Sequence, residues 1–300
     1  MKRKLIKQGG GGGLTLYLPK KWVDKNHLMG GDEVNVEEEN NRIVIDTEAK
    51  QKHVKQEIEI KEHSSEFISR IITNSYKKGV DELKIIFNTK PPLDTVNKTL
   101  SALTIGYEVT DVGNNYCTIS SFSLEDEEKI ETVIRKCFFL IKDIQTTIQE
   151  DIKLKKFRNL DNIKSMNKNI RRLINYAIRT TIKTTKNPNE IQYNSIIFSN
   201  IYLFSIKLVY IYVFLEKEKT ITKNTSNILD NLFMMFNKFY DAYYKKDFKI
   251  INDVLELKKK ITNELNNSVE KTNGKIILQA SMAMRCVHDP IGALIGLITG

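Results

Sequence analysis

The spacing of apolar and polar residues predicts short strands in the first fifty residues. Residues 14–18 alternate with period two, and Pro19 follows them, where it suits the first turn of a helix. Asn40 and Asn41 are typical of a hairpin turn. The predicted elements are strands over 3–8 and 14–18, a helix over 19–28, and a hairpin of strands over 33–37 and 42–46. Residues 1–50 are too few to bury a good core alone, so we expect this unit to dimerise.

From residue 54 the pattern alternates between strand and helix periodicity. The predicted elements are a strand over 57–60, a helix over 64–78, a strand over 81–87, a helix over 91–103 and a hairpin over 108–120. Gly79 and Gly106 follow the two helices, and Gly113 lies in the hairpin turn. The order βαβαββ predicts a small two-layer α/β domain over residues 54–121.

Beyond residue 122 the apolar residues recur at helical spacing, and we predict no further strand. Six helices are predicted, over 123–150, 156–186, 190–217, 223–245, 247–271 and 273–298. Two sets of three helices suggest an internal duplication within an all-α bundle over 123–300. The predicted fold class is therefore multidomain α+β, with domains at 1–50, 54–121 and 123–300.

The apolar segments and the cysteines favour a cytoplasmic protein. The longest apolar stretch, Ile196–Leu215, contains Lys207, and an unpaired lysine in mid-span is costly in a bilayer. We therefore expect a buried bundle helix and no membrane span. Cys117, Cys137 and Cys286 form no CxxC pair, which argues against a disulfide framework. The basic N-terminus is not followed by an apolar segment, so we expect no signal peptide.

The chain has 300 residues and a net charge of +10, but the charge is unevenly distributed. Residues 1–26 hold seven Lys or Arg against one Asp, hence +6, and the stretch after them is acidic. This polarity points to an anionic partner such as nucleic acid. A second basic stretch, 151–186, holds eleven Lys or Arg against two Asp, hence +9. It is interpreted either as the solvated face of a long helix or as a surface that attaches to a membrane.

The sequence offers no convincing site for catalysis, nucleotides or metal ions. The glycine run at 9–13 is not followed by the GK[ST] of a P-loop. None of the four histidines pairs with another His or Cys at ligand spacing. Lysines follow Asp253 and Glu256, so local ion pairing explains this acid pair better than a metal site. We therefore predict that the chain is not an enzyme and has no catalytic residue, metal ion or cofactor.

Six cations lie on both sides of the glycine run, near the N-terminus and at the start of the first helix. They are Lys2, Arg3, Lys4, Lys7, Lys20 and Lys21. A β-ribbon with such cations can lie on a DNA groove, where Lys and Arg contact phosphates and some reach bases. These six residues are the predicted DNA-binding site, and a second copy related by a dyad would double the contact surface.

Five segments in a fixed order resemble the AbrB/MazE/SpoVT swapped-hairpin family. They are the basic Arg3–Lys7, Gly13–Pro19, Lys20–Val23, Gly31–Val34 and Ile43–Ile45. The run of five glycines is longer than the one or two that are usual in the family. The resemblance implies an intertwined homodimer of swapped β-hairpins that binds DNA through its N-terminal basic residues. Arg3, Lys4 and Lys7 match the basic strand of the family, and Lys20 and Lys21 follow its Leu-Pro motif.

The rest of the chain resembles archaeal phosphate uptake regulators, which join an AbrB-like domain to a PhoU-like helical region. Residues 67–85 match best, and residues 123–300 match in length and in their three-plus-three organisation. The acidic metal motifs of PhoU are replaced here by Asn167 and Arg171 in the first repeat. Lys258 and Thr262 replace them in the second, which argues against a metal cluster.

The resemblance implies a DNA-binding transcriptional regulator of phosphate uptake, in which the helical domain senses or relays phosphate status. The alternative is a phosphate-signalling adaptor that does not bind DNA. In that case the N-terminal unit serves as a dimeriser, and the helices bind a phosphate transporter or a kinase-like partner. Cations that share one face would favour the regulator, and scattered cations would favour the adaptor.

Overall fold

The computed structural model describes residues 2–7, 13–39, 42–46, 53–61, 64–122, 128–267 and 273–299. It confirms the predicted mixed α+β class, with 66% of these residues in helices. The chain divides into two compact units, residues 1–52 and residues 53–300. Small sheets occur in both units, and the helical region follows the sheet of the second unit.

The first unit contains the predicted order of elements. They are β1 (Ile6–Lys7), β2 (Leu14–Thr15), α1 (Lys20–Lys25), β3 (Asn35–Glu39) and β4 (Arg42–Asp46). β1 pairs antiparallel with β2, and β3 with β4. β1 and β2 are shorter than predicted, because an isolated two-stranded ribbon buries too little surface to hold longer strands together. The predicted turn at Asn40 and Asn41 lies outside the described residues.

The second unit begins with the predicted βαβαββ order. The elements are β5 (Lys55–Ile60), α2 (Ser65–Lys77), β6 (Glu82–Phe87), α3 (Leu93–Leu103), β7 (Tyr107–Val112) and β8 (Tyr116–Ser121). The sheet order is β5-β6-β8-β7, in which β5 and β6 are parallel and the other neighbours antiparallel. Leu83, Ile85 and Phe87 alternate along β6 and are buried, as are Cys117 and Ile119 of β8. One face of the sheet therefore forms the core of this layer.

Seven helices follow within the described residues. They are α4 (Glu128–Leu154), α5 (Leu160–Thr184), α6 (Pro188–Glu218), α7 (Lys223–Lys245), α8 (Phe248–Asn266), α9 (Gly274–His288) and α10 (Ile291–Thr299). The prediction of a single helix over 273–298 is wrong, because the chain breaks at Asp289 and Pro290. Pro290 has no N–H to donate, and its ring clashes with the carbonyl four residues earlier, so α9 ends before it. The predicted helix start at Ser123 lies outside the described residues.

The helices pack in two groups. α4, α5 and α6 contact one another, α7, α8 and α9 do the same, and α6 packs along α9. Phe204 of α6 stacks on Phe236 of α7 with ring centroids 4.4 Å apart. In the part of the chain that the structure describes, α6 is the one helix long and apolar enough to cross a membrane. In its most apolar segment, 44% of the residues are buried inside the structure.

A buried ion pair joins α5 to the α/β layer. The Arg179 guanidinium donates to the Asp81 carboxylate at 2.6 Å and to the carbonyls of Tyr76 and Val80 at 3.1 and 2.6 Å. Lys183, one turn further along α5, contacts the same carboxylate at 2.5 Å. Burial alone would raise the pKa of Asp81, but the Lys183 and backbone hydrogen bonds and the two cations hold that pKa below its usual range. Two of the eleven cations in 151–186 are therefore internal, which corrects their interpretation as part of a solvated face.

Candidate nucleic-acid interface

The six predicted DNA-binding cations are all exposed. Lys2, Arg3 and Lys4 precede β1 rather than lying on it, which corrects the prediction that they share a strand with Lys7. Lys20 and Lys21 are the first two residues of α1. Across the described residues, no ion pair involves any of the six. Their charges are therefore available to an external anion.

Of the six cations, only Lys7 lies within the pairing of β1 with β2. Ile6 lies opposite Thr15, and Lys7 lies opposite Leu14. Lys2, Arg3 and Lys4 precede the paired residues of β1, and Lys20 and Lys21 follow those of β2 at the start of α1.

The backbone around α1 is held by local hydrogen bonds. The N–H groups of Trp22 and Val23 donate to the Pro19 carbonyl at 2.8 and 3.1 Å and close the first turn. After the helix, Asp32 N–H donates to the Met29 carbonyl at 3.1 Å, and Met29 N–H donates to the Asp32 carboxylate at 2.6 Å. Gly31 has a φ of +104° in this turn, a conformation that favours glycine. The Gly-Asp turn thus fixes the direction of the chain between α1 and β3.

The first unit lacks a core of its own in the described residues. None of its side chains with an assigned burial is buried. Eight large apolar side chains are exposed instead: Leu5, Ile6, Leu14, Leu16, Tyr17, Met29, Val36 and Ile43. This is too much apolar surface for so small a unit to leave in water, and it points to an interface.

The β3–β4 hairpin shows how this apolar surface is arranged. Val36 pairs with Ile45, and Glu38 pairs with Ile43, so these four residues share one face of the hairpin. Val36 and Ile43 are 61% and 67% exposed. A hairpin face with two exposed β-branched side chains fits packing against a second copy.

The second unit also carries free cations. Four exposed cations lie on one side of α5 at intervals of about one turn: Lys164, Lys168 and the adjacent pair Arg171 and Arg172. No ion pair in the described part of the structure involves them. Arg171 lies over the Tyr202 ring at 5.7 Å. This group of four cations has the same sign of charge as the six N-terminal cations but lies on another unit, so a pair of its residues provides a matched control.

The positions that replace the acidic metal motifs make ordinary helix-packing contacts. Asn167 donates to the Ser205 hydroxyl at 2.7 Å, and the Thr262 hydroxyl donates to the Lys258 carbonyl at 2.8 Å. Within the described ranges, no group of three or more His, Cys, Asp or Glu could hold a metal ion. The three cysteines are free thiols.

Sequence reasoning missed the buried Arg179 and its partner Asp81. Arg179 occupies the buried face of α5, one turn after the buried Asn175, which donates to the Leu103 carbonyl at 2.9 Å. Polar residues at this spacing on an otherwise apolar helix face were the available signal. The partner Asp81 could not be identified, because it lies 98 residues away.

Comparison of the chain with protein-family models, with curated proteins and with solved structures gave no match.

Proposed function

We propose that this protein is a cytoplasmic, DNA-binding transcriptional regulator of phosphate uptake and not an enzyme. It acts as a homodimer through residues 1–50, with a swapped-hairpin arrangement like that of the AbrB/MazE/SpoVT family. Residues 123–300 form a PhoU-like bundle of two three-helix repeats that senses or relays phosphate status. The α/β layer at 54–121 connects the two domains along the chain.

One observation carries this proposal. Six exposed cations without ion pairs belong to a unit in which no described side chain of assigned burial is buried. The exposed apolar residues support a dimer, and the cations support a polyanionic partner. The order of elements in residues 3–46 supports the family resemblance. The packing of α4–α6 and of α7–α9 in two groups supports the two-repeat interpretation.

The DNA-binding site is tested with two double variants that change the net charge equally. Arg3→Glu with Lys4→Glu alters the N-terminal cations, and Lys164→Glu with Lys168→Glu alters the α5 cations. Fluorescence anisotropy is measured on DNA from upstream of phosphate-transport genes, and light scattering measures the oligomeric state. We expect the first variant to remain a dimer and lose binding by about 100-fold or more, because four phosphate contacts per dimer are replaced by repulsion. We expect the second variant to bind within about threefold of the unaltered protein, since the α5 cations belong to the other unit and are not part of the proposed site.

Unchanged binding by Arg3→Glu with Lys4→Glu would contradict the assignment of the DNA-binding residues. Equal losses in the two variants would show that affinity follows total charge and not a site. A monomer in the unaltered protein would contradict the proposed dimer.

The adaptor hypothesis is supported by a different observation. Ile196, Leu203 and Tyr210 lie seven residues apart on α6 and are 37%, 42% and 47% exposed. Residues at this spacing form an apolar stripe that could receive a helix of a transporter or kinase-like partner. Failure to bind DNA at low salt, together with capture of a phosphate transporter that is lost in Leu203→Glu, would favour the adaptor.

A further inference from the structure

A cleft of about 680 Å³ lies among the ends of five helices in the second unit. The first turns of α4 and α6 line it, as do the last turns of α5, α7 and α10. The C-terminal ends of three helices therefore converge here, and each carries a partial negative charge. The N-terminal ends of α4 and α6 carry the opposite partial charge, so the side chains decide which ligand charge the cleft prefers.

The side chains of the cleft combine carboxylates with aromatic rings. Glu131 and Glu190 line it together with Tyr193, Tyr243 and Tyr244. Among the described residues, no hydrogen bond or ion pair involves the Glu190 carboxylate or the hydroxyls of Tyr193 and Tyr243. Burial, with a smaller contribution from the negative charges of Glu131 and Glu190, raises the pKa of Tyr243 to about 12.

At the rim of the cleft, a carboxylate and a tyrosine ring together hold a guanidinium group of the chain itself. The Arg135 guanidinium pairs with Glu131 at 2.6 Å and lies over the Tyr244 ring, 4.3 Å from its centroid. A cation between a carboxylate and a tyrosine face gains from both contacts. Glu190 with Tyr193 and Tyr243 offers the same groups, and among the described residues no cation pairs with the Glu190 carboxylate.

The Tyr193 ring packs closely against α10 in the wall of the cleft. A Cβ added at Gly296 of α10 would approach the Tyr193 ring to 2.6 Å, so glycine lets the ring occupy its position. Leu294 and Leu297 of the same helix add an apolar surface. Lys246 also lines the cleft and is the internal cation that would compete with a ligand.

We propose that this cleft binds a small organic cation, with its guanidinium or ammonium group at Glu190 and its alkyl part against Tyr193 and α10. The inference does not depend on DNA binding by the first unit. It gives the helical region a ligand site of its own.

The proposal is tested by calorimetric titration of the full chain with butylguanidinium and with its neutral analogue butylurea. We expect saturable binding of butylguanidinium with a Kd at or below about 1 mM and no measurable binding of butylurea. Glu190→Gln should weaken binding at least about fivefold, whereas Lys246→Met should strengthen it by removing the competing charge. Glu256→Gln changes the same charge on α8 and should leave the Kd unchanged.

Three outcomes would overturn the proposal. Equal binding of butylurea would show an apolar cleft without preference for charge. Equal Kd values for Glu190→Gln and Glu256→Gln would show that the cation binds elsewhere. Weaker binding by Lys246→Met would show that the cleft favours anions.

Discussion

Replacing Arg179 with Met tests what holds the α/β layer to the helical region. Arg179 is 0% exposed, Asp81 is 8% exposed, and their charged atoms are 2.6 Å apart. Arg70 and Glu66 on α2 form an ion pair of nearly equal length, 2.7 Å, but are 72% and 73% exposed. The two pairs therefore differ in burial and hardly in geometry, so Arg70→Met is the matched control.

The difference in burial determines how much unfolding free energy each substitution is expected to cost. Removing one partner of a buried ion pair costs about 3–5 kcal/mol, because the remaining charge stays out of water. We expect about 3 kcal/mol for Arg179→Met, since Lys183 still contacts Asp81 at 2.5 Å. Arg70→Met should cost about 0.5 kcal/mol or less, as exposed pairs on a helix do. Arg and Met have similar helix propensity, so the substitution itself adds little.

The assay is urea unfolding followed by two signals. Far-UV circular dichroism reports mainly the second unit, which contains nearly all of the helices. Fluorescence reports the first unit, because Trp22 is the single tryptophan of the chain. With an m value near 3 kcal/mol/M, a loss of about 3 kcal/mol lowers the dichroism midpoint by about 1 M. The Trp22 transition should not move, because the ion pair lies outside its unit.

A dichroism midpoint for Arg179→Met within about 0.3 M of that for Arg70→Met would refute this reasoning. The buried pair would then contribute no more than a surface pair.

Three further predictions concern individual side chains of the second unit. Lys219 has a φ of 56° at the end of α6, so Lys219→Gly should raise the free energy of unfolding by about 0.5–1 kcal/mol, and an unchanged urea midpoint would contradict this. Burial raises the pKa of Cys117 and Cys286 to about 11 and that of Cys137 to about 12. At pH 8 an aromatic disulfide reagent should therefore label the folded chain at least about 100-fold more slowly than the unfolded chain. Equal labelling rates would contradict the burial of these thiols. The pKa of Asp81 is lowered in the folded state, so its stabilisation is complete above the unfolded-state pKa of about 3.9 and is lost as the pH falls through the folded-state pKa. The difference in unfolding free energy between the unaltered protein and Asp81→Asn should therefore shrink as the pH falls below the unfolded-state pKa, and a constant difference would show that this carboxylate does not titrate with folding.

Much of the secondary structure could be predicted because apolar periodicity is a local property. The βαβαββ order and the ends of α7 were predicted this way. The break between α9 and α10 was missed although Pro290 was visible. Proline is tolerated in the first turn of a helix, and the apolar periodicity continues on both sides of it. Periodicity alone therefore did not distinguish one helix from two.

The candidate sites depend on contacts between distant segments, which periodicity does not reveal. Exposure of the N-terminal cations follows from their charge, but the pairing of β1 with β2, which includes Lys7, joins segments on either side of the glycine run. The junction of Arg179 with Asp81 needs a partner 98 residues away. The cleft at Glu190 is formed by the ends of five helices, and no sequence segment contains more than a fraction of its wall.

The central claim, that the first unit binds DNA, is tested most directly by a salt series on the unaltered full-length protein. Fluorescence anisotropy is measured on DNA from upstream of phosphate-transport genes and on shuffled DNA of equal length. If all six cations contact phosphates, each protomer contributes a slope of about −5 to the plot of log K against log salt. We predict such a steep slope on both DNAs and tighter binding to the unshuffled one. Absence of binding at about 50 mM salt would contradict the account.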